Sequence, residues 1–252
     1  MELFIVSLAS LLAGFVDSIV GGGGLILVPA LFATFPAAHP ATLFGTNKGA
    51  SVWGTGFATW QFSRRVEMRW SALLPAAGAG FVFAFAGAWL VTLVSPDYLR
   101  KALPLVLLAV LLYTLSRKDL GRSHAPQFSG TKEASIAAAI GAVIGFYDGF
   151  FGPGTGSFLV FLFVRLLGYD FLSASASAKL VNTGTNVAAL GEALHQVRDA
   201  AAAALAHQEL PFETLVDALG LSSAQVASVV AETMASWARL GSGGASATAT
   251  GQ

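Results

Sequence analysis

The sequence predicts an all-α membrane protein: a polytopic helix bundle with two inverted repeats that contain glycine-broken helices, a truncated second repeat and a soluble helical tail. Three observations lead to this class. Hydrophobic residues make up 55% of the 252 residues and charged residues 11%, and the mean hydropathy is +0.68, whereas a soluble domain is nearer a quarter charged. Apolar runs of the length that a membrane helix needs, about 20 residues, recur along the chain. Glycine-rich interruptions recur in a single register.

Six apolar stretches are the predicted membrane segments. They cover residues 3–35, 41–62, 70–94, 102–115, 135–167 and 173–190. The fourth is short for a bilayer, so we expect its helix to extend to Tyr98 and Ser116. The predicted domains are a first transmembrane repeat at 1–115, a cytoplasmic loop at 116–134, an incomplete second repeat at 135–190, a non-membrane helical tail at 191–240 and a disordered end at 241–252.

The first stretch is interpreted as a membrane segment rather than as a cleavable signal peptide. A signal peptide has basic residues before a short apolar core and a cleavage site between small residues. This chain opens with Met1 and Glu2 and runs through apolar residues to Asp17 and a row of glycines.

The glycine-rich interruptions belong to an internal repeat. "GFVDSIVGGGG", which begins at Gly14, matches "GFYDGFFGPGTG", which begins at Gly145, with an offset of 131 positions. The same offset places Asp17 against Asp148 and, further along, Lys48 against Lys179. An acid, a glycine cluster and a lysine in one register indicate a duplication.

A broken helix exposes backbone amide and carbonyl groups that lipid cannot satisfy, so such a break is expected where it lines a cavity. Paired glycine-broken segments in two halves are typical of a transporter binding site. The helices that restart after Gly24 and Gly156 would offer free amides and the positive end of a helix dipole to an anion. The alternative is that the glycines only permit close packing of helices, although Pro153 would interrupt a helix.

Four charged residues lie within apolar stretches: Asp17, Lys48, Asp148 and Lys179. Burying an ionisable group in the membrane is costly, so such a residue indicates a functional role. Asp17 and Asp148 are the candidates for ion coupling or for holding the lysines. The alternative is that each aspartate neutralises a lysine in a purely structural pair. The candidate substrate-binding residues, chosen for backbone contact or charge compensation, are Gly21, Gly22, Gly23, Gly24, Asn47, Lys48, Gly152, Gly154, Thr155, Gly156, Lys179 and Asn182.

Basic loops predict the orientation of the halves. One group of basic residues consists of Arg64, Arg65 and Arg69, and a second group lies at 117–132. Two predicted spans separate the two loops, so both loops are expected on the same side of the membrane. The positive-inside rule predicts that this side is cytoplasmic. If each broken segment leaves the membrane on the side from which it entered, the two halves begin on opposite sides. Inverted repeats of this kind permit alternating access.

Four stretches of the sequence are "GFVDSIVGGGGLILVPAL", "FGTNKGASVWGT", "GFYDGFFGPGTGSFLVFLF" and "SASAKLVNTGTNVAAL". Together they resemble the sulfite exporter TauE/SafE family of bacterial permeases, over about residues 3–190. The resemblance implies a multi-pass permease of the bacterial cytoplasmic membrane for small sulfur-containing anions such as sulfite, thiosulfate or sulfonates. It implies a proton or sodium ion as coupling ion and no cofactor. It also implies two further spans after residue 190, which the sequence does not contain.

The tail differs in charge from the rest of the chain. Residues 191–252 carry six acidic and two basic groups, against eight and twelve in the remainder, and such asymmetry indicates a junction. We expect helices at 192–207, 212–219 and 222–240. The stretch 197–219 resembles a fragment of a nonribosomal peptide synthetase condensation domain, without the HHxxxDG motif of that family.

Two other functions remain alternatives to a permease. An incomplete repeat is compatible with a non-transporting membrane scaffold or assembly protein. An intramembrane enzyme would use Ser157 as nucleophile, but it needs a base within hydrogen-bond reach, and the four histidines lie outside the clear spans. The glycine runs lack the lysine and hydroxyl of a phosphate-binding loop, no nucleic acid is expected as a partner, and the absence of cysteine excludes a thiolate metal site.

Overall fold

The computed structural model describes residues 2–20, 22–115 and 125–207, and within these ranges it contains eight helices and no strand. The helices are α1 (Glu2–Val20), α2 (Gly24–Thr34), α3 (Pro40–Ser63), α4 (Trp70–Leu93), α5 (Pro96–Leu115), α6 (Gly130–Phe150), α7 (Thr155–Leu167) and α8 (Phe171–His207). The prediction of an all-α fold is therefore confirmed.

Both predicted helix breaks are present. The first separates α1 from α2, and the second separates α6 from α7. Gly152 and Gly154 have φ angles of +87° and +83°, a region that glycine enters without the steric cost that a side chain brings. Gly21, in the first break, lies outside the described residues.

Helix boundaries follow the register of the sequence repeat. Helix α2 begins at Gly24 and α7 at Thr155, and α3 begins at Pro40 and α8 at Phe171. Both pairs of starting residues are 131 positions apart, which is the offset of the glycine motifs. The repeat therefore extends from the motifs to the elements around them.

Each broken segment folds back on itself. In the second half, the amides of Ala125 and Gln127, just before α6, donate to the carbonyls of Gly168 and Leu167 at the end of α7, at 2.9 and 3.1 Å. In the first half, Val6 near the start of α1 packs in the same apolar cluster as Leu31 and Phe35 at the end of α2. The start of the first helix and the end of the second thus lie together in both halves.

The two folded-back segments contact different ends of α4. Arg69, which precedes α4, pairs with Glu133 in the first turn of α6 at 3.1 Å between Nε and Oε1. At the other end of α4, Val91 and Val94 belong to the same apolar cluster as Phe32 of α2, and Arg100 of α5 donates to the Ala38 carbonyl at 2.6 Å. The two outer ends of the first folded-back segment therefore lie near the C-terminal end of α4, and those of the second segment lie near its N-terminal end.

Helices α4 and α6 run parallel with their backbones in direct contact. A side-chain carbon at Gly141, Gly145 or Gly149 would overlap the carbonyl oxygen of Ala76, Gly80 or Ala84, respectively. The matching order of the two sets shows that the helices point the same way. Small residues at a spacing of four allow this approach, as in other membrane helix pairs.

Large apolar side chains cover much of the outer surface. Among them, Phe4, Leu11, Trp53, Leu105 and Val143 are all at least two-thirds exposed. Helices α4 and α6 are long and apolar enough to cross a membrane, while the apolar parts of α1, α2 and α7 are shorter. The shorter helices are all parts of the broken segments.

Helix α8 differs from the prediction. The sequence predicted a span ending near residue 190 and a separate helix at 192–207, but α8 is continuous from Phe171 to His207. The isolated Gly191 does not stop it because alanines and other strong helix formers follow. A first compact unit ends at Gln196 and a second begins at Val197; the described part of the second contains an exposed ion pair between Arg198 and Asp199. The predicted helices at 212–219 and 222–240 and the disordered end at 241–252 lie outside the described residues, as does 116–124 of the predicted loop.

Candidate functional site

Two ion pairs connect the halves at the helix breaks. Lys48 of α3 contacts Asp148 of α6, with 2.6 Å between Nζ and Oδ1. Lys179 of α8 contacts Asp17 of α1, with 2.8 Å between Nζ and Oδ2. Each lysine therefore pairs with the aspartate of the other repeat, so the two contacts are equivalent under the 131-residue offset.

The Lys48–Asp148 pair is almost completely buried, with side-chain exposures of 4% and 1%. Lys48 also donates to Oδ1 of Asn186 at 3.2 Å. The hydroxyl of Thr155, the first residue of α7, donates to Oδ1 of Asp148 at 2.5 Å. This pair is therefore embedded in polar contacts that compensate part of the cost of burying charge.

The Asp17–Lys179 pair is more open, because the Asp17 side chain is 25% exposed and that of Lys179 is 8% exposed. Lys179 also donates to the backbone carbonyl of Asp17 at 2.7 Å. The amide of Gly23, just before α2, donates to Oδ1 of Asp17 at 3.2 Å. Both aspartates thus hold the chain that leads into the second helix of their own segment.

A hydrogen bond joins two equivalent positions of the repeat. Nδ2 of Asn186 donates to the hydroxyl of Thr55 at 3.4 Å, and the two residues are 131 positions apart. Two positions that the sequence repeat makes equivalent are therefore in contact here. The polar centre between the ion pairs therefore lies at the junction of the two halves.

A small inner cavity occupies this junction. Its volume is about 20 Å³, room for about one water molecule. It is lined by ten of the predicted site residues, namely Asp17, Gly24, Asn47, Lys48, Asp148, Gly152, Gly154, Thr155, Gly156 and Asn182. Residues from both repeats that the sequence places far apart thus meet around one polar space.

Three residues of the inner cavity were not among the predicted site residues. They are Ser51, Thr55 and Asn186. Ser51 and Thr55 follow Lys48 by three and seven positions, and Asn186 follows Lys179 by seven. Positions at this spacing share one face of a helix, so a helical projection from each lysine would have identified them.

Other predicted residues lie elsewhere. Gly23 and Lys179 line a larger cavity of about 310 Å³, which also contacts Asp17, Asn47 and Ser51. Gly22 is buried beside Leu25 but lines neither cavity. Gly21 lies outside the described residues.

The first turns of α2 and α7 face the inner cavity. Gly24 begins α2, and Thr155 and Gly156 begin α7. The residues at the N-cap positions of the two helices, Gly23 and Gly154, have no side chain with which to cap them. The amides of Leu25 and Ile26 donate to the carbonyls of Gly22 and Gly23, so it is the positive end of each helix dipole that favours negative charge at these positions.

Two buried polar atoms of the inner cavity have no hydrogen-bond partner within the described part of the chain: Oδ1 of Asn47 and Oδ2 of Asp148. Buried polar atoms are nearly always paired in folded proteins. A water molecule, a proton or a bound solute at these atoms would satisfy them.

Comparisons with known proteins agree with a membrane transporter. Residues 6–240 match the family described as Sulfite exporter TauE/SafE. The "Probable membrane transporter protein ORF9" of Sinorhizobium sp is 41% identical over 184 residues, 73% of this chain and 69% of the relative. "Probable membrane transporter protein YfcA" of Escherichia coli K12 is 41% identical over 182 residues, 72% of this chain and 66% of the relative. A "Probable membrane transporter protein" of Haemophilus influenzae is 37% identical over 180 residues, 70% of this chain and 68% of the relative. No solved structure matches.

The comparisons extend the family beyond the predicted limit at residue 190. The family match continues through 197–219, and a relationship of that stretch to a nonribosomal peptide synthetase finds no support. The chain matches about two thirds of the length of the curated relatives. Because the family match covers most of the chain, this membrane protein belongs to the sulfite exporter TauE/SafE family.

Proposed function

We propose that the protein is a secondary transporter of the bacterial cytoplasmic membrane and that it binds a small sulfur-containing anion, such as sulfite, thiosulfate or a sulfonate, between its repeats. The observation that carries the proposal is the reciprocal pairing of Lys48 with Asp148 and of Lys179 with Asp17 at two helix breaks. The names of the family and of the relatives support transport, and the family description supports a sulfur oxyanion.

The anion has two kinds of positive partner in this arrangement. The first turns of α2 and α7 bring the positive ends of two helix dipoles, one from each half, to the inner cavity. The lysines supply full charges, which can stabilise an oxyanion by charge-assisted hydrogen bonds. The inner cavity holds about one water molecule in this conformation, so the repeats must separate to admit a sulfur oxyanion.

The ion pairs suggest how transport is coupled to a proton. Each lysine already contacts a carboxylate, and two lysines with two aspartates have no net charge. An anion therefore gains the full charge of Lys48 only when Asp148 is neutralised. A proton on the unpartnered Oδ2 of Asp148 would do this, so anion and proton would bind together.

The two repeats are proposed to be inverted and to move against each other in alternating access. The contacts at the two ends of α4 support this arrangement. Ala38, which follows the first broken segment, contacts the chain just after α4, whereas Glu133, at the start of the second, contacts the chain just before α4. Rocking about the junction at Thr55 and Asn186 would expose the site to one side of the membrane at a time.

Uptake of labelled anions into proteoliposomes tests the proposal. We expect an imposed proton gradient to drive uptake of labelled sulfite, thiosulfate or a sulfonate, and sodium-free buffer to leave it unchanged. Lys48→Ala should abolish uptake because the anion loses its cation in the inner cavity. Lys132→Ala, at an exposed lysine above the Phe128 ring, is the matched control and should transport normally.

Two outcomes contradict the proposal. Uptake by Lys48→Ala equal to that of the unaltered chain would remove the lysine from the mechanism. If the unaltered chain inserts correctly but transports none of the three anions, a non-transporting scaffold is the better interpretation.

A further inference from the structure

The two helix breaks differ in the hydrogen bond that one of their carbonyl groups accepts. In the first break, the carbonyl of Gly22 accepts from the backbone amide of Leu25 at 3.0 Å. The equivalent carbonyl in the second break, at the 131-residue offset, belongs to Pro153, and it accepts from the hydroxyl of Tyr147 at 2.6 Å. A tyrosine hydroxyl therefore takes the place that a backbone amide has in the first repeat.

The amide that the tyrosine replaces is that of Gly156, since Gly156 is the equivalent of Leu25. Within the described residues the Gly156 amide has no hydrogen-bond acceptor, and Gly156 is buried. Buried backbone amides are nearly always paired in folded proteins. This amide is therefore available to a ligand.

The Gly156 amide does not stand alone at the inner cavity. Gly156 lines this cavity together with Asn47 and Asp148, which are 4% and 1% exposed. Oδ1 of Asn47 and Oδ2 of Asp148 have no partner in the described part of the chain. A free donor beside two free acceptors fits a ligand that both accepts and donates hydrogen bonds, as an oxyanion bound with a proton does.

Tyr147 acts on this cavity from outside it. The residue is half-buried on α6, and neither Tyr147 nor Pro153 lines the inner or the larger cavity. The tyrosine ring packs against Phe151 and Phe158, with ring centroids 6.4 and 5.4 Å away. This packing holds the hydroxyl on the Pro153 carbonyl. The equivalent of Tyr147 in the first repeat is Val16, which has no hydroxyl to donate.

We propose that Tyr147 is a positioning residue of the anion site: its hydroxyl occupies the Pro153 carbonyl, so that the Gly156 amide stays free to donate to an oxygen of the anion. The inference rests on the proposed function in that the anion binds in the inner cavity. It makes the site asymmetric, because the equivalent amide of the first break, that of Leu25, is already bonded within its own loop. Without the hydroxyl, the Pro153 carbonyl would accept from the Gly156 amide as Gly22 accepts from Leu25.

Tyr147→Phe tests the inference, because it removes the hydroxyl and keeps the ring. Labelling threonine at the carbonyl carbon and glycine at the amide nitrogen selects the amides of the few Thr-Gly pairs in an NMR spectrum of the full chain in detergent. Thr155→Ser, which keeps the hydroxyl of that residue, identifies the Gly156 signal by its loss. We expect sulfite to shift this signal in the unaltered chain.

In Tyr147→Phe the Gly156 signal should move before any sulfite is added, because the amide becomes bonded to Pro153. It should then respond only at sulfite concentrations about tenfold higher, which corresponds to the loss of one hydrogen bond to a charged group. A signal that sulfite does not shift, or one that Tyr147→Phe leaves in place, would overturn the inference.

Uptake of sulfite into proteoliposomes adds a second readout. Tyr147→Phe should raise the sulfite concentration at half-maximal uptake about tenfold and leave the maximal rate nearly unchanged, as expected when a binding contact is lost. Tyr98→Phe, at a 63% exposed tyrosine of α5, is the matched control and should behave as the unaltered chain. An unchanged half-saturation in Tyr147→Phe would also overturn the inference. If the Gly156 signal behaves as expected but no uptake occurs, the inference stands and the proposed transport fails.

Discussion

At the residue scale, the two ion pairs differ in burial although the repeat makes them equivalent. The Lys48–Asp148 pair is almost completely buried, while the Asp17–Lys179 pair borders the larger cavity. Removing one partner of a buried pair leaves an uncompensated charge, which destabilises a protein far more than the pair itself stabilises it. Water that reaches a charge reduces this cost. The same substitution should therefore have unequal effects in the two repeats.

We predict that Lys48→Ala lowers the free energy of unfolding by about 3–5 kcal/mol, because Asp148 is left buried without a cation. Lys179→Ala should cost clearly less, because Asp17 is partly exposed. Thermal unfolding in detergent, followed by tryptophan fluorescence, measures both. The double variant Lys48→Ala with Asp148→Ala should recover most of the loss. Equal losses for the two lysines, or no recovery in the double variant, would contradict the explanation.

A third buried contact involves Tyr169, which lies between α7 and α8, outside the predicted membrane segments. The Tyr169 hydroxyl donates to Oε1 of Glu133 at 2.6 Å, and Arg69 contacts the same carboxylate. Burial raises the pKa of the Tyr169 phenol above its ordinary value of 10.0, and the hydrogen bond to Glu133 raises it further. Tyr169 therefore stays protonated in the folded chain at a pH at which it ionises in the unfolded chain.

The sign of the resulting pH dependence follows. Below about pH 10 both states carry the proton and the stability is fully present; above it the unfolded chain loses the proton first, so stability falls as the pH rises. We predict that Tyr169→Phe flattens this fall. Melting temperatures between pH 8 and pH 11 for the unaltered chain and the variant provide the measurement, and parallel curves would show that Tyr169 does not contribute.

At the element scale, small residues decide which helices touch. Helices α4 and α6 approach until their backbones are in contact, because glycine occupies the contact positions of α6. Gly14 on α1 meets no neighbour among the described residues. Substituting the equivalent glycines Gly145 and Gly14 therefore distinguishes two contributions to the free energy of unfolding: helix packing and helix propensity.

We predict opposite effects for Gly145→Ala and Gly14→Ala. At Gly145 the added carbon overlaps the carbonyl of Gly80, and overpacking of this kind costs about 1–3 kcal/mol. At Gly14 the carbon meets no atom of the described residues, and alanine favours a helix over glycine by up to about 1 kcal/mol. Unfolding in detergent with added denaturant compares the two, and a destabilising Gly14→Ala would show that α1 is covered by an unidentified neighbour in the preparation.

At the scale of the whole molecule, charge and connectivity set the orientation. The loop between α3 and α4 and the start of α6 lie together, since Arg69 contacts Glu133. The basic groups of these regions are predicted to face the cytoplasm. The connection between α2 and α3 lies with the start of α5 at the other end of α4, through Ala38 and Arg100.

We predict that membrane-impermeant thiol reagents label the two ends from opposite sides. Ser63→Cys and Gln127→Cys should react in inside-out vesicles, and Ala37→Cys and Ser95→Cys in right-side-out cells; all four positions are exposed. The absence of native cysteine makes the background low. Labelling of positions 37 and 127 from the same side would exclude the inverted arrangement of the repeats.

Much of the fold was predictable because its causes are local. Glycine clusters and Pro153 break helices wherever they occur, and apolar runs set helix lengths, so the breaks and most helix positions follow from the residues. The continuous α8 was not predicted because a single glycine in an alanine-rich context does not end a helix. The parallel contact of α4 with α6 was not predicted. Helix α4 contains many alanines and glycines, so its contact residues Ala76, Gly80 and Ala84 do not stand out as a motif.

The sequence by itself determined that the chain is a duplicated membrane protein with two broken helices and two aspartate–lysine sets. The register of a repeat and the breakage of a helix are properties of neighbouring residues. Only the tertiary structure decided that each lysine pairs with the aspartate of the other half, and that one pair is almost completely buried while the other borders a cavity. Those facts depend on packing between residues such as Lys179 and Asp17, which are 162 positions apart, and no local pattern specifies which distant partner is nearest.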